Sequence, residues 1–316
     1  MDLCQGARYT GRSLPVAVRH RPLIAKALDA QGRSREMIGC DCQWDNLTVW
    51  QRCEPPVVYL DHWALMTFSD DVALGNRLVA ALHEKQGTYA LSWLNWGEFG
   101  HVTDPSHAIR ADAFLERIRP RLFFLEPNPF VVRDRENELL QGRAPRPPHG
   151  DQDLLRVFFV LDKESLDPLS AKRFFCMATG QDVSRRRTEL AQEIMGRVNC
   201  IHDQYGTDEA YRKAVNRQTN GPQIQCGTRY IFRELLALIT KDGRHPFTEH
   251  DAIDMLHAVV PAAYCDCLLL DKHWEALLNR ARDRLRRNGM EFPVASVFSA
   301  RGDGIERFLG HLESSN

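Results

Sequence analysis

Five short apolar segments constrain the fold of this chain more than any other feature, because each has the composition of a buried β-strand. They read PPVVYLD (55–61), TYALSWL (88–94), RLFFLEP (121–127), DCLLLD (266–271) and FPVASVFS (292–299). Segments with helical periodicity lie between them. Strands that alternate with helices are typical of a parallel sheet covered on both faces. The sequence therefore predicts an α/β fold, an α/β/α sandwich around a central parallel five-stranded sheet.

The strand pattern is interrupted in the middle of the chain, where only helical patterns occur. Among them are SRRRTELAQEIMGRVNCIHDQYG (184–206) and TRYIFRELLALIT (228–240). We therefore predict a core in two parts, 55–130 and 245–316, separated by a helical insertion or subdomain over 131–244. Residues 1–54 are expected to form an N-terminal extension that packs on the core, with one short helix around PLIAKALDA.

Composition and charge place the chain among ordinary soluble globular proteins. It has 316 residues and a formal net charge of −1, so overall charge does not point to nucleic acid, although a local basic patch remains compatible with it. No apolar run has the length of a membrane span, and no secretory signal is recognisable. We expect a cytoplasmic protein without membrane contact. The nine cysteines are expected to be reduced. Cys40, Cys42 and Cys53 lack zinc-ribbon spacing and are interpreted as isolated thiols.

Acidic residues occur where a parallel sheet would bring them together. Asp61 ends the first strand and Asp271 the fourth, Glu98 follows the second strand, and Asp254 lies one turn into the helix before the fourth. Ligand sites in such sheets form at the carboxyl ends of strands. Converging carboxylates repel one another unless a hard cation such as Mg²⁺ or Mn²⁺ binds them. Near phosphate, that cation supports phosphodiester hydrolysis. Asp266 opens the fourth strand, as an accessory ligand or a turn residue.

Each acid also has a purely structural interpretation. Asp61 and Asp271 could cap the helices that follow them, and Glu98 could be a surface residue at a helix start. Asp251 stands three residues after Thr248, a spacing that indicates a capping box, so we interpret Asp251 as a cap.

Three motifs resemble those of PIN domains. They are the strand with a terminal acid, VVYLD, the strand, turn and helix LSWLNWGEF, and the helix and strand DAIDMLHAVVPAAYCDCLLLDKHW. The resemblance covers 55–127 and 245–300. It implies a compact α/β/α sandwich and an Mg²⁺- or Mn²⁺-dependent nuclease that cuts RNA, or single-stranded DNA as some relatives do. Its ligands or water-activating acids would be Asp61, Glu98, Asp254 and Asp271. Only leucines precede Asp271, where the family often has Ser or Thr, so Asp266 and Asp271 are alternatives for the fourth acid.

A site that binds nucleic acid would also require positively charged side chains. Arg280, Arg284 and Arg287 share one face of a helix and are our candidates for phosphate contacts, with a solvated, ion-paired face as the alternative. The run SRRR (184–187) is a second candidate.

We therefore expect an endoribonuclease, by family analogy a toxin or defence effector with a protein inhibitor or activator, able to form homo-oligomers. Two alternatives are a catalytically inactive PIN-like module that binds RNA or protein, and a different metallohydrolase that uses His250 and His257 with Asp254.

Overall fold

A computed structural model describes residues 37–43, 46–99, 105–143, 147–160, 181–216, 227–242, 246–290 and 292–314. The helix expected around PLIAKALDA lies outside these residues. For Cys40 and Cys42 only the backbone is described. Among the described residues, no helix combines the length and apolarity that crossing a membrane requires.

The strands form two sheets. An antiparallel hairpin comprises β1 (Ile38–Gln43) and β2 (Asn46–Gln51). The central sheet comprises β3 (Val57–Leu60), β4 (Thr88–Ser92), β5 (Leu122–Leu125), β6 (Cys267–Leu269) and β7 (Ser296–Phe298). Its strands are all parallel and run in the order β5-β4-β3-β6-β7. The predicted parallel five-stranded sheet is therefore confirmed.

The helices comprise α1 (His62–Asp70), α2 (Val72–Lys85), α3 (Trp93–Phe99), α4 (Pro105–Ile118), α5 (Pro129–Leu140), α6 (Gln152–Val160), α7 (Gln181–Thr207), α8 (Glu209–Asn216), α9 (Gly227–Asp242), α10 (Glu249–Tyr264), α11 (Lys272–Arg287) and α12 (Gly304–Ser314). A single 3-10 turn (Arg119–Arg121) precedes β5. Trp93 and Leu94, expected in the second strand, begin α3 instead. The side chain of Asn95 accepts a hydrogen bond from the Ser92 amide at 3.0 Å, which favours a turn at this point.

Side chains of the central sheet alternate between two hydrophobic cores. On one face Tyr59, Ala90 and Leu268 pack with residues of α7, α9, α10 and α11. On the other face Val58 and Tyr89 pack with residues of α1, α2, α4 and α12. This alternation follows from the two-residue period of a strand. The sheet is therefore buried on both faces, and the α/β sandwich predicted from the strand pattern is confirmed.

Helices of the segment 131–244 contribute to the same core as the sheet. Ile194 of α7 and Leu235 of α9 are fully buried in the cluster that contains Val259 of α10 and Tyr59 of β3. The helices α7 and α9 therefore form part of the layer that covers one sheet face. This packing brings α7 beside α3, the helix that carries Glu98.

The segment before β3 covers an edge of the central sheet. The Gln51 side chain accepts a hydrogen bond from the Phe124 amide at 2.8 Å and donates to the Phe124 carbonyl at 2.9 Å. Because β5 is an edge strand, these bonds satisfy backbone groups that would otherwise be open to pairing with another chain. The hairpin β1–β2 was not predicted from the sequence.

Candidate active site

A cavity of about 270 Å³ lies where the chain order of the sheet reverses, between the carboxyl ends of β3 and β6. Parallel α/β folds place ligands at such a point because the flanking connections leave in opposite directions and open a crevice. All four acids of the predicted set line it, namely Asp61, Glu98, Asp254 and Asp271. The rest of the wall consists of His62, Trp63, His250, His257, Leu270 and Trp274.

Asp61 and Asp271 occupy equivalent positions after β3 and β6. The Asp61 Oδ1 atom accepts a hydrogen bond from the Ala64 amide at 3.1 Å, and the Asp271 Oδ1 atom accepts one from the Trp274 amide at 2.9 Å. Each aspartate is therefore the N-cap of the helix that follows it. The capping and site interpretations hold together, because capping uses one carboxylate oxygen and leaves the other for the cavity.

Glu98 and Asp254 reach the cavity from two helices. Glu98 lies near the end of α3, and its Oε2 atom is 3.3 Å from Nε2 of His257. The two atoms are not aligned for a hydrogen bond, so Glu98 Oε2 is buried without one. Asp254 lies on α10, one turn after His250, whose Nε2 is 3.8 Å from Asp254 Oδ2. As expected, Asp251 forms a capping box with Thr248 at the start of this helix, and its role is structural.

Two of the four acids, Asp61 and Asp254, hold a proton more tightly than a free carboxyl group does. Burial raises the pKa of Asp61 well above its ordinary value, and the charges of Glu98 and Asp271 add to that effect. Burial also raises the pKa of Asp254 to about 6, again with repulsion from Asp271 and Glu98. Among the described residues, no lysine or arginine lines the cavity. The cavity therefore concentrates negative charge that its own walls only partly neutralise.

A buried chain of polar side chains, linked through Tyr59, holds His257 in position. The His257 Nδ1 atom lies 2.5 Å from the Tyr59 hydroxyl, which lies 3.2 Å from Ser92 Oγ. Ser92 Oγ donates to Asn95 Oδ1 at 3.1 Å, and Asn95 Nδ2 donates to the Leu60 carbonyl at 3.0 Å. This chain fixes the imidazole plane and turns its Nε2 atom toward Glu98.

Glu98 and His257 stabilise each other's charge. Burial disfavours the imidazolium, but the carboxylates of Glu98, Asp61 and Asp254 outweigh burial and raise the pKa of His257. Burial likewise disfavours the Glu98 carboxylate, but His257 outweighs it, with help from His62 and Arg187, and the pKa of Glu98 is lowered. Sequence reasoning missed the supporting chain, whose only signal was polar residues within and directly after two buried strands.

Asp266 does not join the other acids. It precedes β6, whereas Asp271 follows it, so the two lie at opposite edges of the sheet. Asp266 Oδ2 accepts a hydrogen bond from the Val57 amide at 2.7 Å, and the Asp266 amide donates to the Val57 carbonyl at 2.8 Å. Its carboxylate thus ties together the starts of β3 and β6. Of the two alternatives for the fourth acid, the structure brings only Asp271 to the cavity.

The arginines predicted on α11 lie away from the cavity. That helix begins at the cavity with Asp271, and Arg280 follows roughly 14 Å along the axis at about 1.5 Å per residue. Arg284 donates from Nε to Glu234 Oε2 at 2.7 Å and so binds α11 to α9. Arg287 donates from Nε to the Asp283 carbonyl at 3.2 Å. Arg280, Arg284 and Arg287 therefore lie outside the wall of the cavity, and the phosphate contacts predicted for them stay a prediction.

The donor chemistry of the cavity fits a hard divalent cation. Among the described residues, no group of three or more His, Cys, Asp or Glu side chains is already closed around a metal position. The carboxylates nevertheless face one cavity, and Glu98 Oε2 is buried there without a hydrogen bond. Carboxylate oxygens are the ligands that Mg²⁺ and Mn²⁺ prefer. A cation would relieve the repulsion that raises the pKa of Asp61 and Asp254.

Comparison of the chain with protein-family models, with curated proteins and with solved structures found no significant match. The resemblance to PIN domains therefore stays a prediction based on the motifs.

Proposed function

We propose that this chain is a PIN-like, metal-dependent nuclease that hydrolyses phosphodiester bonds of RNA. The observation that carries the proposal is the convergence of Asp61, Glu98, Asp254 and Asp271 on one cavity. These acids come from four separate segments of the chain, and they meet at the point of the sheet where ligands bind in this fold class. Repulsion among buried carboxylates costs free energy of folding. A divalent cation bound between them would offset that cost.

The residues have separable roles in this proposal. Asp61, Asp254, Asp271 and Glu98 would hold Mg²⁺ or Mn²⁺, which when bound polarises a phosphodiester and lowers the pKa of water. The pKa of about 6 for Asp254 belongs to the metal-free protein, and a bound cation would lower it by offsetting the repulsion from Asp271 and Glu98. His257 fixes the position of Glu98 and is fixed in turn by Tyr59.

The amino termini of α1 and α11 add to the site. Both helices begin directly after an acid of the cavity, so their first backbone amides and the positive ends of their dipoles lie beside it. This field favours a phosphate group that approaches the same edge.

One alternative function is supported by a specific observation. His250 and His257 line the same cavity as Asp254, as a metallohydrolase with histidine ligands would require. Against it, the two ring nitrogens of His257 already face Tyr59 and Glu98. A requirement for Zn²⁺ in place of Mg²⁺ or Mn²⁺ would favour this alternative. The inactive binding module, the toxin or defence setting, the protein inhibitor or activator and the homo-oligomer stay predictions.

The test is cleavage of end-labelled single-stranded RNA and DNA by the purified protein with Mn²⁺, Mg²⁺, Zn²⁺ or EDTA. We expect RNA cleavage with Mn²⁺ or Mg²⁺, none with EDTA, and none by Asp61→Asn. Asp266→Asn is the matched control, because it removes the same charge at the opposite edge of the sheet and keeps an oxygen acceptor for Val57. A wild-type protein that is folded yet cleaves nothing would refute the proposal, and loss of activity in Asp266→Asn alone would refute the assignment of the acids.

A further inference from the structure

Arg187 of α7 lies beside residues of the acidic cavity, and Arg186 precedes it, although this helix belongs to the segment outside the PIN-like motifs. A nuclease that gathers four carboxylates must also hold the polyanionic backbone of its substrate, and the cavity wall itself contains no lysine or arginine among the described residues. The arginines of α11 are not part of that wall. Arg186 and Arg187 are therefore the cations to consider.

Arg187 lies next to Glu98 through the packing of α7 on α3. A Cβ atom placed on Gly97, the residue before Glu98, would be 3.5 Å from Arg187 Cδ, an ordinary van der Waals distance, so the arginine stem packs against α3. The Arg187 charge acts on Glu98 and on His62, both of which line the cavity.

The guanidinium of Arg187 is not satisfied within the described part of the chain. Its Nε atom is buried and has no hydrogen-bond partner there. A buried guanidinium donor without an acceptor costs free energy, and an oxygen of a bound phosphate would remove that cost. The half-buried position beside the cavity thus fits a group whose partner is a ligand.

Arg186 extends this feature to a second cavity. Its guanidinium lies 5.0 Å from the ring centre of Trp93, the first residue of α3. Arg186, Trp93 and Asn128 line a cavity of about 190 Å³, together with Leu190 and the acids Glu189 and Glu193. Trp93 begins α3 and Glu98 lies near its end, so Arg186 and Arg187 contact the same short helix near its two ends.

Arg185 forms an ion pair on the surface of α7. It is mostly exposed and lies 3.8 Å from Glu189 one turn later on the same helix. Such a surface pair contributes little to stability. Arg185 therefore has the same charge and nearly the same sequence position as Arg187, but its side chain is more exposed.

We infer that Arg187, assisted by Arg186, binds consecutive phosphates of a single-stranded RNA beside the acidic cavity, so that α7 completes the active site. This inference rests on the proposed function. Arg187 is a positioning residue here, because it would hold the strand while the acids act on the scissile bond. The segment that contains α7 is then part of the nuclease and not an appendage to it.

Binding is measured by fluorescence anisotropy of a labelled single-stranded RNA, in the uncleaving Asp61→Asn background and over a series of salt concentrations. We expect Arg187→Gln to raise the Kd about tenfold, as loss of a charged hydrogen bond implies, and to lower the slope of log K against log salt by about 0.7, the value for one phosphate contact on a single strand. Arg187→Lys should keep the slope and regain part of the affinity. Arg186→Gln should lower the affinity and the salt slope, each to a smaller extent than Arg187→Gln.

The control is Arg185→Gln, which should match the parent in affinity and salt slope. Thermal unfolding of all variants separates a folding defect from loss of a contact, since a defect in folding does not change the salt slope of the folded fraction. If the wild type cleaves RNA while Arg187→Gln and Arg185→Gln bind equally well, the inference is wrong and the proposed function stands. If the wild type neither cleaves nor binds RNA, the proposed function fails and the inference with it.

Discussion

Asp254→Asn is expected to stabilise the metal-free protein at alkaline pH, although it removes a residue of the candidate site. Burial, followed by repulsion from Asp271 and Glu98, raises the pKa of Asp254 from 3.8 to about 6, against the attraction of His250 and His257. A shift of about two units corresponds to roughly 3 kcal/mol, at about 1.4 kcal/mol per unit. The Asp254 side chain is 21% exposed, so solvent screening reduces this value only in part.

The sign follows from proton linkage. The folded protein binds the Asp254 proton more tightly than the unfolded chain does, so the folded state loses stability as pH rises from about 4 through about 6. Above that range the wild type carries the full cost of an ionised, repelled carboxylate, whereas Asp254→Asn carries none. The variant should exceed the wild type in free energy of unfolding by up to about 3 kcal/mol at pH 8, and the difference should approach zero near pH 4.

Urea unfolding in EDTA at pH 8 and pH 4 measures this difference. Asp203→Asn is the control, because Asp203 is 85% exposed on α7 and should show no such change. Addition of Mn²⁺ at pH 8 should stabilise the wild type, by about 2.7 kcal/mol at a hundred times the Kd, and should stabilise Asp254→Asn less. If Asp254→Asn is less stable than the wild type in EDTA at pH 8, the carboxylates are not in repulsion and the reasoning is wrong.

Three further substitutions test other parts of the structure. Burial, and then the charge of Asp151, raise the pKa of Glu126 to about 7, so the wild type should lose stability as pH rises from 4.5 through 7. Urea unfolding at pH 5 and pH 8.5 should show that Glu126→Gln removes this loss. Equal pH profiles of the two proteins would contradict the prediction. Tyr59→Phe removes the hydroxyl that holds His257 and should cost about 1–3 kcal/mol of stability and lower the cleavage rate, whereas unchanged values would exclude a positioning role. Gly304→Ala would place Cβ 1.8 Å from a backbone carbonyl oxygen and should cost several kcal/mol in thermal unfolding, which an unchanged melting temperature would disprove.

The positions of Asp61 and Asp271 could be predicted because they depend on the topology of the sheet alone. Parallel strands expose their carboxyl ends at one edge, so Asp61 and Asp271 had to lie on the same side once β3 and β6 were recognised as neighbours in one sheet. Asp266 could not be separated from Asp271 by pattern, since both flank the same short apolar run. The direction of β6, parallel to β3, places Asp271 at the carboxyl edge and Asp266 at the opposite edge, where it is bonded to Val57.

Contacts between distant segments could not be predicted from the sequence. The approach of Arg187 to Glu98 depends on how α7 crosses α3, and nothing in the local pattern of either helix encodes that crossing. The polar chain under His257 depends on which face of β3 carries Tyr59. The hairpin escaped prediction because its role, covering the edge of β5 through Gln51, is a tertiary one.

The most direct test of the central claim is calorimetric titration of Mn²⁺ into the purified wild-type protein, Asp61→Asn and Asp266→Asn. The account predicts binding to the wild type and to Asp266→Asn, and an affinity at least about tenfold lower for Asp61→Asn, as loss of one charged ligand implies. Absence of Mn²⁺ binding to the folded wild type, or equal binding by Asp61→Asn, would show that these acids do not form a metal centre.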